Sequence, residues 1–387
     1  MRMDILPPTA RTADRHRPVD ADARLRFDAS ACLPVRFPGQ ECGLCADACP
    51  IGIIHLVSGH PDFGAGCIGC GQCGTACPTG ALSIDGFALP PVLPHEEGPI
   101  QVDCWRVPFA DSPRGALRVP CLAGIGVGWL LALFELAAAR EERTIELLDR
   151  GACGECMAGT GMATLRSALR EVRELLDECG VTEERLPRFV PLPARGPLAP
   201  GIPTTAGEIR MDRRGFFRAL VGSVARGADG IATARDTADT PIVLRDNIAP
   251  LEHMRTVTAL TAIAARHGRT TPARVLPMAT LAECGAHGIC AKVCPTGALV
   301  REERDGTAEL KFFAARCIAC GQCARGCPDK ALRVAASGGG AVVEILARWQ
   351  ARECVVCGEA FFGATGDTCP ACRKNQDLLE GAAALFG

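Results

Sequence analysis

Two cysteine runs in this chain share the spacing C-x2-C-x2-C-x3-C-P. They consist of Cys67, Cys70, Cys73 and Cys77 before Pro78, and of Cys317, Cys320, Cys323 and Cys327 before Pro328. In such a run three thiolates bind one [4Fe–4S] cluster, and the fourth binds a neighbouring cluster. The small residues between the cysteines let backbone N–H groups approach the cluster sulfurs. The two runs therefore predict one-electron chemistry.

An incomplete run precedes the first complete one. It contains Cys42, Cys45 and Cys49 before Pro50, but Gly39 stands where the leading cysteine is expected. Cys32 lies seven residues earlier, and looping out LPVRFPGQ would bring it back. We therefore predict two sets of cluster ligands: the Cys32 set of Cys32, Cys42, Cys45 and Cys77, and the Cys67 set of Cys49, Cys67, Cys70 and Cys73. The alternative is that Cys32 is a buried packing thiol.

A second incomplete run precedes the second complete one, with His287 in place of the second cysteine. The run is Cys284, His287, Cys290 and Cys294 before Pro295. Cys294 completes the Cys317 set with Cys317, Cys320 and Cys323. The His287 set contains Cys284, His287, Cys290 and Cys327. It leaves three alternatives open: His287 binds the fourth iron and raises the potential, three thiolates hold a [3Fe–4S] centre, or no cluster is bound.

Both cysteine-dense segments resemble bacterial two-cluster ferredoxins, over residues 26–90 and 274–336. The resemblance implies a βαββαβ fold with pseudo-twofold symmetry. It also implies electron transfer between neighbouring clusters, without chemistry on a substrate.

A third group of cysteines lies in a segment of ordinary strand and helix patterning. The segment predicts the strands QVDCW and ALRVPCL, a long helix, the strand TIELLD, a turn (GACGEC) and a charged helix. Alternating strands and helices favour a small parallel α/β domain, with cysteines at the carboxyl ends of the strands. These cysteines, the central set, are Cys104, Cys121, Cys153 and Cys156.

This segment resembles the methyl-viologen-reducing hydrogenase delta-subunit family in RVPCLAGI, ELLDRGACGEC and LRSALREVRELLDECGVTEERL. The resemblance implies that the central set holds a [2Fe–2S] cluster. It also implies partners of the hydrogenase or dehydrogenase type and a further redox subunit as acceptor. Cys104 is followed by Trp105, where that family is expected to have a cysteine pair. A redox-active dithiol or an inert remnant at Cys153 and Cys156 is the alternative.

The last four cysteines form the ribbon set, with the spacing C-x2-C-x11-C-x2-C: Cys354, Cys357, Cys369 and Cys372. Two such knuckles place four thiolates around one ion, which favours a structural Zn²⁺, with iron in a rubredoxin-like site as the alternative. The preceding VVEILARWQARE is predicted to be a helix that docks this zinc ribbon on the second ferredoxin-like module.

The bulk composition supports an intracellular metalloprotein. The chain has 387 residues, 24 cysteines, 42 basic and 44 acidic residues, and its first residues contain no apolar export signal. In a reducing compartment these thiols are better explained as metal ligands than as disulfides, so we predict a cytoplasmic protein. The balanced charge gives no indication of nucleic acid. The apolar run at 122–139 is predicted to be a buried helix rather than a membrane span.

The predicted fold is α+β and multidomain, with two ferredoxin-like modules, a central α/β domain and a zinc ribbon. The boundaries are a flexible arm at 1–25, module 1 at 26–95, the central domain at 96–192, a linker with short helices at 193–270, module 2 at 271–337 and the ribbon at 341–387. No nucleophile with its base appears. We therefore expect an electron-transfer subunit of an oxidoreductase complex, relaying electrons between a dehydrogenase or hydrogenase and another redox subunit.

An internal MDRRGFFRAL at 211–220 resembles a twin-arginine signal and the start of accessory ferredoxins of nitrate reductase systems. It suggests the alternative function, an accessory or maturation ferredoxin for a molybdoenzyme.

Overall fold

A computed structural model describes residues 25–90, 93, 98–138, 143–159, 161–193, 210–211, 247–363 and 366–386. The chain divides into two compact units, Met1–Gly230 and Ile231–Gly387, and both mix helices with several small sheets. The predicted arm lies outside the described residues except for Leu25, and so do positions 212–220 of the twin-arginine-like motif. No helix in the described ranges is both long and apolar enough to cross a membrane.

The first part of unit 1 contains the first cysteine-dense segment. Its elements are β1 (Leu25–Phe27), α1 (Leu33–Arg36), α2 (Leu44–Asp47), β2 (Ile54–Val57), β3 (His60–Phe63), α3 (Gln72–Ala76) and β4 (Leu82–Ile84). Strand β1 pairs antiparallel with β4, and β2 forms a hairpin with β3. The hairpin turns at Ser58 and Gly59, which both have positive φ, as a tight two-residue hairpin loop requires.

The second part of unit 1 is a four-stranded parallel sheet with two helices. Its elements are β5 (Ile100–Cys104), β6 (Leu117–Val119), α4 (Val127–Ala138), β7 (Ile145–Asp149), α5 (Gly161–Glu178) and β8 (Arg188–Pro191). The strand order is β6-β5-β7-β8, and every neighbouring pair is parallel. A two-residue strand, β9 (Arg210–Met211), pairs in parallel with β1.

The core of this sheet explains why the apolar run at 122–139 does not need a membrane. Leu130, Leu131 and Leu133 of α4 are fully buried, as is Leu147 of β7. A parallel sheet covered by helices buries its strands, so near-continuous apolar segments are expected there. Cys179, which directly follows α5, is also fully buried, as a packing thiol would be.

Unit 2 contains the second cysteine-dense segment and the ribbon. Its elements are α6 (Leu251–Arg266), β10 (Met278–Leu281), α7 (Ile289–Val293), β11 (Leu299–Arg304), β12 (Thr307–Phe313), α8 (Gln322–Arg325), β13 (Leu332–Ala335), β14 (Val343–Glu353), β15 (Ala360–Phe362) and α9 (Pro370–Phe386). From β10 to β13 the order is strand, helix, strand, strand, helix, strand. Strand β10 pairs antiparallel with β13, and a second sheet has the order β11-β12-β14-β15. The turn between β11 and β12 is Asp305-Gly306, again with two positive φ angles.

The segment VVEILARWQARE is not a helix, so that prediction was wrong. Val343–Glu353 forms β14, which pairs antiparallel with β12 from Val343 to Gln350 and with β15 from Ala351 to Glu353. Helix propensity is a weak preference, whereas an unpaired edge of β12 would leave backbone N–H and C=O groups without partners. Trp349 packs into the core of unit 2 with Leu310 and Phe312 of β12, so pairing also buries the largest side chain of the segment.

The expectation of short helices at 193–270 is corrected for the described residues 247–270. Within this range Leu251–Arg266 forms one 16-residue helix, α6, and the side chains of Val257, Leu260 and Ile263 on it are buried. Val257 belongs to the same apolar core as Cys290, Cys294, Cys317 and Cys323. His253 Nε2 lies 3.0 Å from the carbonyl oxygen of Ala314. Tertiary packing of one apolar face stabilises a helix of this length.

Candidate functional site

Three of the predicted ligand sets each line one cavity in the structure. The Cys32 set lines about 390 Å³ of empty volume, the Cys67 set about 330 Å³ and the Cys317 set about 320 Å³, each partly open to solvent. The four thiols of each set therefore face one common space. Four thiols around such a space are the donor set of an iron–sulfur cluster, so these residues fit that group.

Cys32 lies with the other three members of its set. It directly precedes α1, and the chain returns after Gly39, whose φ of +86° is a conformation that favours glycine. Burial raises the pKa of Cys32 to about 12, and the neighbouring thiolates of Cys77, Cys45 and Cys42 add to the increase. Desolvation disfavours a bare thiolate, so binding to iron would supply the missing charge compensation.

The loops of the two complete runs and of the His287 run share one backbone conformation. The residue two positions after the first cysteine has a positive φ in each case: Gly69 (+63°), Ala286 (+58°) and Ala319 (+50°). The backbone N–H of Ala286 donates to Cys284 Sγ at 3.4 Å, as that of Ala319 does to Cys317 Sγ. The incomplete run therefore keeps the local geometry of the complete one.

A second repeated contact lies at the C-x3-C-P ends. Backbone N–H groups four residues further on donate to the sulfurs of Cys77, Cys294 and Cys327, each at 3.3 Å. Hydrogen bonds to cysteine sulfur stabilise negative charge there and tune the potential of a bound cluster. Three of the fourth-position cysteines thus have the same supporting donor.

His287 has a partner that the sequence reasoning did not identify. Its Nε2 lies 3.2 Å from Asp329 Oδ1, while the backbone N–H of Gly285 donates to Asp329 Oδ2 at 2.7 Å. The Gly285 N–H bond lowers the pKa of Asp329, and His287 adds to the decrease. Asp329 follows the Cys327–Pro328 pair, where the other complete run has Thr79. That difference was the available signal.

The other members of the His287 set lie close enough to affect one another's ionisation. Burial raises the pKa of Cys290 to about 11, and the thiolates of Cys284 and Cys327 raise it further. The three thiols of this set therefore lie near one another.

The four cysteines of the central set also line one cavity. Cys104, Cys121, Cys153 and Cys156 line about 470 Å³, partly open to solvent, at the carboxyl ends of β5, β6 and β7. Burial raises the pKa of Cys121, and the thiolates of Cys104, Cys70 and Cys156 act in the same direction. The four thiols and the cavity fit a small iron–sulfur cluster.

Arg106 supplies positive charge to the central set and was missed by the sequence reasoning. Its Nη1 lies 2.8 Å from Cys156 Sγ, and its backbone N–H donates to Cys104 Sγ at 3.4 Å. One residue therefore contacts two of the four predicted ligands. Its position two residues after Cys104 was visible in the sequence, but no pattern connected it to Cys156.

A buried ion pair ties together two of the strand ends that carry this set. Arg150 donates from Nε to Asp103 Oδ1 at 3.1 Å and from Nη2 to Asp103 Oδ2 at 2.6 Å. The side chain of Arg150 is 4% exposed and that of Asp103 is 0% exposed. Asp103 precedes Cys104 on β5, and Arg150 follows β7 and precedes Cys153, so this pair fixes the spacing of the cysteine-bearing loops.

The ribbon set differs from the others because its sulfurs converge on one point. Of the side chains that the structure describes, these four cysteines have ligand atoms that all lie within 4.8 Å of one another. Cys357 Sγ and Cys369 Sγ are 3.8 Å apart, and a tetrahedral ion with Zn–S bonds of about 2.3 Å requires sulfurs about 3.8 Å apart. The N–H of Cys369, which lies 3.2 Å from Cys354 Sγ, and the N–H groups of Cys357 and Val356 lower the pKa of Cys354 to about 6. This set fits a single ion.

Comparison with known families identifies the two cysteine-dense segments. Residues 282–332 match the family model described as a 4Fe-4S dicluster domain, and residues 66–83 match that of a 4Fe-4S binding domain. The matches cover well under half of the chain, and no curated protein matches it. The chain therefore contains two 4Fe-4S ferredoxin-type segments, which indicate an iron–sulfur electron-transfer protein. The matches do not include residues 96–192 or 341–387.

Proposed function

We propose that this protein is a polyferredoxin that relays electrons from a dehydrogenase- or hydrogenase-type donor to another redox subunit. The observation that carries the proposal is the grouping of the predicted cysteines around separate cavities, in two segments that match 4Fe-4S families. Iron–sulfur groups supply reversible one-electron oxidation and reduction. In this proposal the chain carries electrons, and the partner proteins carry out the chemistry on the substrate.

The chain's own residues would hold and shield these groups. The Cys32, Cys67 and Cys317 sets would each hold one [4Fe–4S] cluster, and the His287 set a fourth or a [3Fe–4S] centre. The N–H groups of Ala81, Ala298 and Ala331 would stabilise the ligand sulfurs to which they donate. The strand order from β10 to β13 supports a βαββαβ ferredoxin-like module there.

The central set would hold a [2Fe–2S] cluster, and the ribbon set a structural Zn²⁺. The first assignment is supported by four thiols at the carboxyl ends of parallel strands, where α/β domains place their sites. The second is supported by the spacing of Cys357 and Cys369, which suits tetrahedral thiolate coordination.

The test is anaerobic purification of the full chain with iron, sulfide and zinc quantified and electron paramagnetic resonance (EPR) spectra recorded. Four [4Fe–4S] groups correspond to about 16 irons, and a [2Fe–2S] group adds about two. We expect the signals to appear on reduction with dithionite and to disappear when an oxidised redox protein accepts the electrons. A protein that contains zinc alone and is insensitive to air would refute the proposal.

The same preparation separates relay from the accessory role suggested by the motif at 211–220. Rapid, reversible electron exchange with a dehydrogenase subunit supports the relay. Stable binding to an apo-molybdoenzyme without electron exchange would contradict it.

A further inference from the structure

Two of the ligand sets in unit 1 meet at a close backbone contact. Helix α3, which begins two residues after Cys70, packs against the 3-10 turn Leu122–Gly124, which begins directly after Cys121. Cys70 belongs to the Cys67 set, and Cys121 lines the central cavity. The contact therefore joins the ligand loops of two different sets.

Gly124 lies at the centre of this contact. A Cβ atom placed on Gly124 would lie 2.2 Å from the carbonyl oxygen of Cys70, so no side chain fits there. The N–H of Gly124 donates to the carbonyl of Cys121 at 3.0 Å, while its own carbonyl accepts a 2.5 Å hydrogen bond from Thr75 Oγ1. A glycine thus connects the backbone of one predicted ligand, Cys70, with that of another, Cys121.

A second contact lies at the rim of the central cavity. The side chain of Gln72 is buried, and its Nε2 lies 3.5 Å from the carbonyl oxygen of Ala158. Ala158 lines the central cavity two residues after Cys156. A buried amide needs a hydrogen-bonding partner, and Gln72 finds this one across the contact. Through these contacts α3 touches two of the loops that line the central cavity.

We propose that the Cys67 set and the central set form one electronically coupled pair, with Gly124 and Thr75 as its positioning residues. The inference rests on the proposed function, in which both sets hold iron–sulfur groups. One electron is exchanged within the pair, with no bond made or broken and no proton moved, so oxidation of one group balances reduction of the other. The rate of electron tunnelling falls steeply with distance. Because the ligand loops of the two sets pack directly against each other, an electron can pass between the two groups without any movement of one domain towards another.

The test is the magnetic interaction between the two groups in the full-length, cluster-loaded protein. The sample is reduced anaerobically with dithionite, a low-potential one-electron donor, and EPR spectra are compared between wild type and variants. The EPR signals of the groups in unit 2 are the same in all samples, so they cancel when the spectrum of a variant is subtracted from that of the wild type. We expect splitting or broadening in the wild type, and its loss in Gly124→Ala, because the added methyl group forces the two loops apart.

Thr75→Val is the milder variant, and it decides the matter if Gly124→Ala does not fold. It removes the hydrogen bond to the Gly124 carbonyl while keeping the side-chain shape, and we expect a reduced splitting with unchanged iron content. The matched controls are Gly340→Ala, where a Cβ would meet no atom within 4 Å, and Thr182→Val, at an exposed threonine. Both controls should retain the wild-type splitting.

Iron and sulfide content distinguishes a failure of the proposed function from a failure of the coupled pair. A wild-type count that lacks the central group would refute both the proposed role of the central set and the coupled pair. A complete count with non-interacting signals would overturn the coupled pair alone. Unchanged splitting in Thr75→Val and in a folded Gly124→Ala would show that these residues do not position the groups.

Discussion

Replacing Arg150 by leucine should destabilise unit 1 strongly, because it leaves the Asp103 carboxylate buried without its countercharge. The carboxylate would keep the Ser112 hydroxyl at 2.6 Å and the Cys104 N–H at 2.9 Å, but it would lose both guanidinium contacts. Breaking a fully buried ion pair by removing one partner costs about 3–5 kcal/mol. For a unit of this size 1 kcal/mol shifts the melting temperature by about 2–4 °C, so we expect a decrease of about 6–20 °C.

The matched control is Arg26→Leu in the same unit. Arg26 pairs with Asp85, but its side chain is 55% exposed, and water screens such a pair. Exposed pairs contribute about 0–1 kcal/mol, so the control should lose only a few degrees. Thermal unfolding of the cluster-loaded proteins, followed anaerobically by circular dichroism, measures the difference.

The same substitution should also affect the central set. Asp103 and Arg150 directly adjoin the segments that carry Cys104 and Cys153, so Arg150→Leu is expected to release the central iron before that of the Cys67 set. The double variant Asp103→Asn/Arg150→Leu removes the buried charge and should recover part of the stability. Equal melting temperatures for Arg150→Leu and Arg26→Leu would refute the reasoning.

Three further outcomes follow from the sites. Arg106→Gln should lower the reduction potential of the central group without loss of iron, because a positive charge beside Cys156 stabilises the reduced state. The control is Arg114→Gln, at an exposed arginine. Equal reduction potentials of the central group in the two variants would contradict this prediction. His287→Ala should release one iron and produce a [3Fe–4S] signal on oxidation; that signal in wild type would exclude His287 as a ligand. Cys369→Ser should release the ribbon metal alone, and loss of cluster iron would contradict a separate structural site.

The grouping of the cysteines around common cavities was predictable from the sequence, because the spacing within each run is local. Each C-x2-C-x2-C loop must wrap the same turn around the cluster, so the motif itself contains most of the geometry. The placement of Cys32 required only that the segment after it loop back to Cys42. The parallel sheet of the central segment was likewise predictable, because β6, α4, β7 and α5 follow the ordinary α/β alternation.

The side-chain contacts around these cysteines were not predictable from local motifs, because the residues that make them come from distant parts of the chain. Asp329 reaches His287 across 42 residues, and Arg150 reaches Asp103 across 47. Neither pair belongs to a motif. The prediction for β14 was wrong for a related reason. Its sequence suits a helix, but the edge of β12 offers hydrogen-bonding partners for its backbone, and local helix propensity takes no account of them.

The His287 run has kept features that a vestigial site would not need. Ala286 has a φ of +58°, a conformation that costs a non-glycine residue about 1 kcal/mol or more. This cost is offset where the loop must direct several N–H groups towards one point, and the Ala286 N–H does contact Cys284 Sγ. Asp329 fixes Nε2 of His287, in the way that carboxylates orient metal-binding histidines, and leaves Nδ1 for a metal. These contacts favour a retained cluster site with one neutral ligand, whose potential would be higher than that of the all-thiolate Cys317 set beside it.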